Sequence, residues 1–358
     1  MNKQSGLPLG SVIGILGGGQ LGRMLSLSAS QLGFKTHIYD PDFNAPAKQV
    51  TNLSSTFKYD DINNLKNFAK NVDVITYEFE NIPLDTIRVC QKIKNVYPNS
   101  RSLEICQDRT NEKKFLNNMG IKTVKFVVAS SYENIIDGIK QLGLPVVIKT
   151  SRFGYDGKGQ IRTKTGDDPE ILWKEINTDI AILEYLVDFK SEISFLLARN
   201  IDGETIIFPP TINYHDRGIL VHSTAPAILP SNVIKAGNDY IKTMADHLEV
   251  VGLLAMELFL TQENTLIFNE IAPRPHNSFH WTIEGCKTSQ FQQLIRSLSG
   301  LPFGDISVIG RWHMRNILGH SSKEELKRGY KSAGKYVHEY GKQKTKENRK
   351  MGHITWNE

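Results

Sequence analysis

Cysteine is scarce in this chain of 358 residues. Cys90, Cys106 and Cys286 are odd in number, widely spaced and show no CxxC pair. That excludes a disulfide framework and a cysteine zinc site, and it fits a reduced, cytoplasmic compartment. Long apolar runs are also missing. None approaches the roughly 18 residues a membrane span needs, so no membrane partner is expected. The apolar N-terminal stretch is interrupted by Gly14 and Gly17 to Gly19, which argues against a signal peptide. There is no Gly-x-x-x-x-Gly-Lys-Ser/Thr loop, no internal repeat and no low-complexity tract.

What is present is an ordinary globular composition, 40% hydrophobic and 23% charged, on a chain long enough for two or three domains. The net charge of +5 is unevenly spread. Lys323 to Lys350 holds eight Lys and two Arg against four acids, so that segment alone carries +6 and the remainder is near −1. Such a segment suits a phosphorylated small molecule or solubility. With only Tyr330, Tyr336 and Tyr340 interleaved and no RNA or DNA motif, nucleic acid is not an expected partner.

Along the chain, Ser11 to Leu16 reads as a strand running into Gly17-Gly18-Gly19-Gln20-Leu21-Gly22, then a helix that stops at Gly33. Lys35 to Tyr39 is the next strand, ending at Asp40. Gly17-x-Gly19-x-x-Gly22 with an acid 18 residues on matches the dinucleotide fingerprint, which gives a rival hypothesis, a nicotinamide or flavin enzyme. The same glycines mark any tight strand-to-helix turn. Val72 to Tyr77 is a further strand delivering Glu78-Phe79-Glu80-Asn81 at its C-terminal end, where open α/β sheets bind ligands. Glu78 there is either a ligand acid or a helix-entry acid before Pro83.

Asp108 is a good N-cap for a helix ending at Gly120, and Arg109 in its first turn opposes the helix dipole. A cation so placed is salt-bridged or used on a ligand. Ser130-x-x-Glu133 reads as a capping box for a helix ending at Gly143. Then Pro145-Val146-Val147-Ile148-Lys149 is a β-branched strand ending in one ammonium. It leads into Gly154-Tyr155-Asp156-Gly157-Lys158-Gly159-Gln160. Three glycines in six residues let backbone N–H groups approach phosphate oxygens, so a strand lysine beside this flap can grip a triphosphate. The alternative is a hairpin with a solvated tip. Ile180 to Leu183 leads to Glu184-Tyr185-Leu186-Val187, a continuation suited to lie beside a base. Glu192 follows in a strand, and His215 falls in a turn region at Asn213 to Asp216.

Ala255 to Phe259 and Leu266 to Glu270 form a hairpin. With Glu263-Asn264 central, Glu257 falls opposite Glu270. Two carboxylates facing each other amid Leu, Phe and Met repel unless a cation sits between them or one is protonated. Oxygen-only ligands beside a phosphate site suit Mg²⁺ or Mn²⁺. Beyond them, Pro273 and Pro275 stiffen a loop carrying Arg274, His276 and Asn277, a good anion site.

Lys149 with the flap, Glu257 and Asn269-Glu270 resemble the ATP-grasp superfamily. More closely, Gly14 to Met24, Tyr77 to Asn81, Gln107 to Arg109, Gly154 to Gln160, Asn269 to Ser278 and Arg349 to His353 resemble the N5-carboxyaminoimidazole ribonucleotide synthase family across essentially the whole chain. The resemblance implies an α/β ATP-grasp fold: a Rossmann-like pre-ATP-grasp domain over 1–107, an ATP-grasp domain over 108–300 with a lid at about 125–190, and a C-terminal domain over 301–358. It implies a ligase of purine synthesis that uses ATP, Mg²⁺, bicarbonate and aminoimidazole ribonucleotide, acting as a homodimer. Arg109, Lys149, Gly154, Tyr155, Asp156, Gly157, Lys158, Gly159, Gln160, Glu184, Tyr185, Leu186, Val187, Glu192, His215, Asn269 and Glu270 would bind ATP. Glu257 and Glu270 would hold the metal. Gln20, Glu78, Tyr155, Asp156, Arg274, His276, Asn277, Lys342 and Arg349 would surround the ribonucleotide and bicarbonate. Of these, Asp156, Arg274, His276 and Lys342 are the catalytic candidates, and either Asp156 or His276 would handle the amine proton. The chain departs from the family at Phe279, where glycine is expected.

Overall fold

A computed structural model of the chain describes residues 6–154 and 158–358. The expectations on Tyr155, Asp156 and Gly157 lie outside the described residues. The N-terminal part holds β1 (Val12–Leu16), β2 (Lys35–Tyr39), β3 (Leu53–Ser55) and β4 (Val74–Tyr77), all parallel, in the order β3-β2-β1-β4. Helices cover a parallel sheet on both faces, which is why these strands read as near-continuous apolar runs. Because β4 joins β1 on the side away from β2, the order reverses there. The loops leaving the ends of β1 and β4 lie side by side.

A second four-stranded sheet holds β5 (Phe126–Ala129), β6 (Val146–Thr150), β7 (Gln160–Arg162) and β8 (Ala181–Tyr185) in the order β5-β8-β6-β7. The helices Tyr132–Leu142 and Pro169–Ile176 pack on it, and Ile135, Ile148, Leu172 and Leu183 give this unit a core of its own. The first of these helices is capped by Ser131, whose hydroxyl accepts from Asn134 N, rather than by Ser130. The spacing to Glu133 favours Ser130, but the helix starts one residue later, and Ser130 N instead donates to Asn134 Oδ1.

The largest sheet has nine strands: β9 (Ser191–Arg199), β10 (Thr205–Ile207), β11 (Thr211–Asp216), β12 (Ile219–Ala225), β13 (Gly252–Leu260), β14 (Leu266–Ala272), β15 (Trp312–Leu318), β16 (Lys335–Glu339) and β17 (Lys350–Asn357). Its order is β14-β13-β9-β11-β12-β15-β17-β16, with β10 against β9. The C-terminal strands thus continue the central sheet through the antiparallel β12–β15 pair. His215 lies in β11, beside a register shift after Tyr214, and not in a turn. Cross-strand pairing with β12 carries the extended chain through Asn213-Tyr214-His215-Asp216 despite its turn-like composition. The helix Ser231–His247 packs Ile241 and Met244 on one face of the sheet, and the helix Gln290–Ser299 packs Phe291 and Leu294 on the other. Leu21, Leu25 and Ala29 of the first helix join that second core, welding the N-terminal part to the centre.

Candidate active site

The glycine fingerprint is filled by the protein's own carboxylates. Gly19 N donates to Glu78 Oε1 at 2.9 Å and Gly22 N to Glu78 Oε2 at 3.2 Å, while Gly18 N donates to Asp40 Oδ2 at 2.8 Å. The helix N-terminus, which would otherwise receive a pyrophosphate, is already satisfied. A Cβ at Gly19 would stand 2.7 Å from Glu78 Oε1, so glycine is required for this contact. This removes the support for a nicotinamide or flavin enzyme. Burial raises the Glu78 carboxyl above its ordinary value despite the two N–H donors.

Across the second four-stranded sheet, Lys149 Nζ on β6 lies 2.6 Å from Glu184 Oε2 on the adjacent β8. Glu184 Oε1 meets a second ammonium, that of the fully buried Lys113, at 2.9 Å. Burial alone would raise Glu184; the two lysines overcome it and hold the carboxyl at about 2. Asp108 caps its helix through Thr110 N and Asn111 N and also accepts from Ser151 Oγ at 2.9 Å. Arg109 then reaches the carbonyls of Thr150 and Gly154 at 3.2 and 3.3 Å. Gln160 pairs with Lys149 in register, and Gly159 has φ +66° with room for no Cβ beside Thr150 Oγ1. Leu186 and Val187 line an open cleft with Arg162 and Phe189, whose ring stacks on Phe259 at 4.6 Å. Tyr185 is half-exposed at its edge.

Glu257 and Glu270 face each other as expected, by a different route. The turn centres on Glu263, so Leu258 pairs with Phe268, and a bulge at Asn269 restores the Glu257–Glu270 register. The bulge turns the Asn269 carbonyl toward Lys113, whose Nζ donates to it at 3.3 Å. His215 Nδ1 lies 2.5 Å from Glu192 Oε2, and one ligand atom each of Glu192, His215 and Glu257 falls within 4.8 Å of the others. Burial raises the Glu257 carboxyl, with the charges of Glu270 and Glu192 adding to it against the pull of His215. Burial lowers His215, but its three acidic neighbours raise it overall.

Arg274 is clamped by Glu80 through both Nε and Nη2, the latter at 2.8 Å. Burial would raise Glu80, and the guanidinium reverses that and holds it below the usual range. Glu80, Arg109, Glu112, Glu270 and Arg274 line one pocket. His276 Nδ1 pairs with Ser278 Oγ at 2.7 Å, and its Nε2 stands 3.8 Å from Glu257 Oε1. Burial, with Arg274 and Lys350 nearby, pushes this imidazole well below its ordinary value. Asn277 exchanges two hydrogen bonds with Asn316 of β15. Phe279 is fully buried in the core beside Phe208 and Trp281.

The basic segment returns to the N-terminal domain. Gln49 donates to the Gly341 carbonyl at 2.7 Å and accepts from Arg23, one turn beyond Gln20. Lys342 Nζ donates to the Lys350 carbonyl at 2.6 Å, and Arg349 to that of Lys344 at 2.7 Å. Lys342 and Arg349 therefore lie on the segment that docks against the N-terminal part.

The N5-carboxyaminoimidazole ribonucleotide synthase of Bacillus subtilis is 40% identical over 358 residues, spanning 99% of this chain and 93% of its own. The chain belongs to this family of ATP-dependent ligases. Residues 11–107 match the ribonucleotide synthetase preATP-grasp domain, 114–291 the ATP-grasp domain, and 313–358 the phosphoribosylaminoimidazole carboxylase C-terminal domain. A bifunctional purine synthesis protein of Dictyostelium discoideum is also 40% identical, and the chain spans 37% of its length. The crystal structure of an ADP complex of a family member superposes with a TM-score of 0.95 at 38% identity, covering 99% of this chain and 94% of that one. An Aspergillus clavatus member in complex with ADP and aminoimidazole ribonucleotide superposes at 0.90 with 26% identity, covering 98% and 94%.

Three residues at the site went unrecognised in the sequence. Lys113 and Glu112 looked like the surface of a polar helix, Arg-Thr-Asn-Glu-Lys-Lys, yet both are buried. Glu112 accepts from Ile271 N at 2.8 Å, and burial together with Glu270 pushes its carboxyl up to about 8 against the pull of Lys113. Glu80, two residues beyond Glu78, follows the end of β4 and binds Arg274, a partner far away in sequence that no local pattern signals.

Proposed function

We propose that the chain carboxylates 5-aminoimidazole ribonucleotide with bicarbonate at the expense of ATP. The support that carries this reading is one pocket lined by Arg109, Glu270 and Arg274, with Glu257 facing Glu270 across the hairpin, in a chain that matches the family over 99% of its length. A bicarbonate oxygen attacks the γ-phosphorus of ATP, the bond to the β-phosphate oxygen breaks, and ADP leaves. The ribonucleotide amine then attacks the carbonyl carbon of carboxyphosphate, phosphate departs, and the nitrogen gives up a proton.

Lys149 and Arg109 offset phosphate charge. Glu257 and Glu270 fit a hard divalent cation, since two opposed carboxylates, the first of them buried, are otherwise a source of repulsion. We assign Mg²⁺ or Mn²⁺ to them, supplying charge neutralisation for the transferring phosphoryl group. The Glu80 clamp presents Arg274 in a fixed orientation, with bicarbonate as its anion. Asn277 instead fastens its loop to β15. Lys342 and Arg349 are assigned to the ribonucleotide's 5′-phosphate. The division at 107 and 300 follows the same reading, with ATP between the lid and the central sheet.

The test is phosphate release from Mg-ATP and bicarbonate, with and without the ribonucleotide. Strong stimulation by the ribonucleotide is expected, and Glu270→Ala should lower turnover at least about 100-fold. Absence of ATP turnover in the wild-type protein under all these conditions would overturn the assignment.

A further inference from the structure

Lys113 is wholly buried on the helix Arg109–Asn118, and its ammonium touches two other elements. It pairs with Glu184 on β8 at 2.9 Å and donates to the Asn269 carbonyl on β14 at 3.3 Å; the Phe268 ring lies 5.7 Å away. Burying an ammonium is costly, and one carboxylate would balance it. Here that carboxylate is shared. Glu184 gives its other oxygen to Lys149 at 2.6 Å, so two lysines face one acid and one positive charge is left over. Of the two ammonium-bearing side chains only Lys149 keeps any exposure, 15% against 0%, so the surplus lies on the solvent-reaching side of the pair and not in the core.

We propose that Lys113 is a positioning residue for nucleotide phosphates, holding Glu184 from behind so that this acid cannot neutralise Lys149. Without Lys113, Glu184 pairs with Lys149 alone, and the ammonium that should meet a phosphate is spent inside the protein. The inference rests on the nucleotide site proposed above. It differs from a purely structural role in its consequence: a stabilising buried pair would alter melting, whereas this arrangement discriminates ligands by their phosphates.

The experiment is calorimetric binding of ADP and of adenosine to the full-length protein, using wild type, Lys113→Met, Glu184→Gln and the double variant. For Lys113→Met, ADP affinity is expected to fall on the order of tenfold, as for loss of one nearby charge in a partly screened site. Adenosine affinity should change by less than about twofold, because adenosine has no phosphate to meet Lys149. In the Glu184→Gln background the same substitution should cost nothing further, since the acid it restrains is gone. Lys113→Gln, which keeps a donor for the Asn269 carbonyl, carries the same comparison where the methionine variant does not fold. Unchanged ADP affinity, equal losses for ADP and adenosine, or equal losses in both backgrounds would each overturn the role. Wild-type protein that fails to bind ADP would instead overturn the nucleotide reading beneath it.

Discussion

At the scale of single residues, the site is a set of charges placed where water cannot attend to them. Glu184 is the clearest case, a carboxyl held at about 2 by Lys113 and Lys149 although burial opposes its ionisation. Its folded value lies below the ordinary 4.5, so the stability it contributes is present above that value and is lost as pH falls toward about 2. Glu184→Gln should flatten the dependence of unfolding free energy on pH between these limits, a change read by denaturant titration at several pH values. Glu78 makes a different argument. Glu78→Ala leaves Gly19 N and Gly22 N without their acceptors, and unfolding free energy should drop by roughly 1–3 kcal/mol. The variant should acquire no affinity for NAD, and tight NAD binding would show that the glycine loop is a dinucleotide site after all.

At the scale of elements, a helix start and a hairpin irregularity do most of the positioning. Asp108 caps its helix and holds Ser151 at the same time, so one side chain fixes the first turn, Arg109 and the end of β6 together. Asp108→Ala should cost about 1–2 kcal/mol in stability. It should also raise the KM for ATP more than that for the ribonucleotide, because Arg109 loses its anchor; steady-state kinetics with each substrate varied gives the answer. In the hairpin, the bulge at Asn269 lets Glu257 and Glu270 oppose one another while the apolar residues beyond them keep their own alternation. A regular hairpin centred on Glu263 would have set Glu257 against Asn269.

At the scale of the whole molecule, the C-terminal segment meets the N-terminal domain. The basic segment docks on the N-terminal domain through Gln49 and Gly341 and through Gln343 and Asn44. Gln49→Ala should raise the KM for the ribonucleotide about 3–10-fold, the worth of one hydrogen bond, and leave the KM for ATP unchanged. An equal rise in both would mean that the contact steadies the fold and not the ribonucleotide end. Among the described residues no helix is long and apolar enough to cross a membrane.

Much of this was legible in the chain itself, because it depends on local chemistry. The strand-to-helix turn at Gly17 to Gly22, the cap at Asp108 and the stop at Gly143 follow from backbone preference and hydrogen-bonding side chains. Those are properties of neighbours in sequence. Tertiary structure decided which groups meet across it. Glu78 fills the glycine loop because β4 lies beside β1, and Glu80 clamps Arg274 from 194 positions away. Lys113, on a helix polar enough to suit the surface, is buried because Glu184 and the Asn269 carbonyl converge on it from two sheets. A charge is stable in the interior only where a partner of opposite sign or a polar group waits for it. That partner is chosen by the packing of distant elements, which no local pattern records.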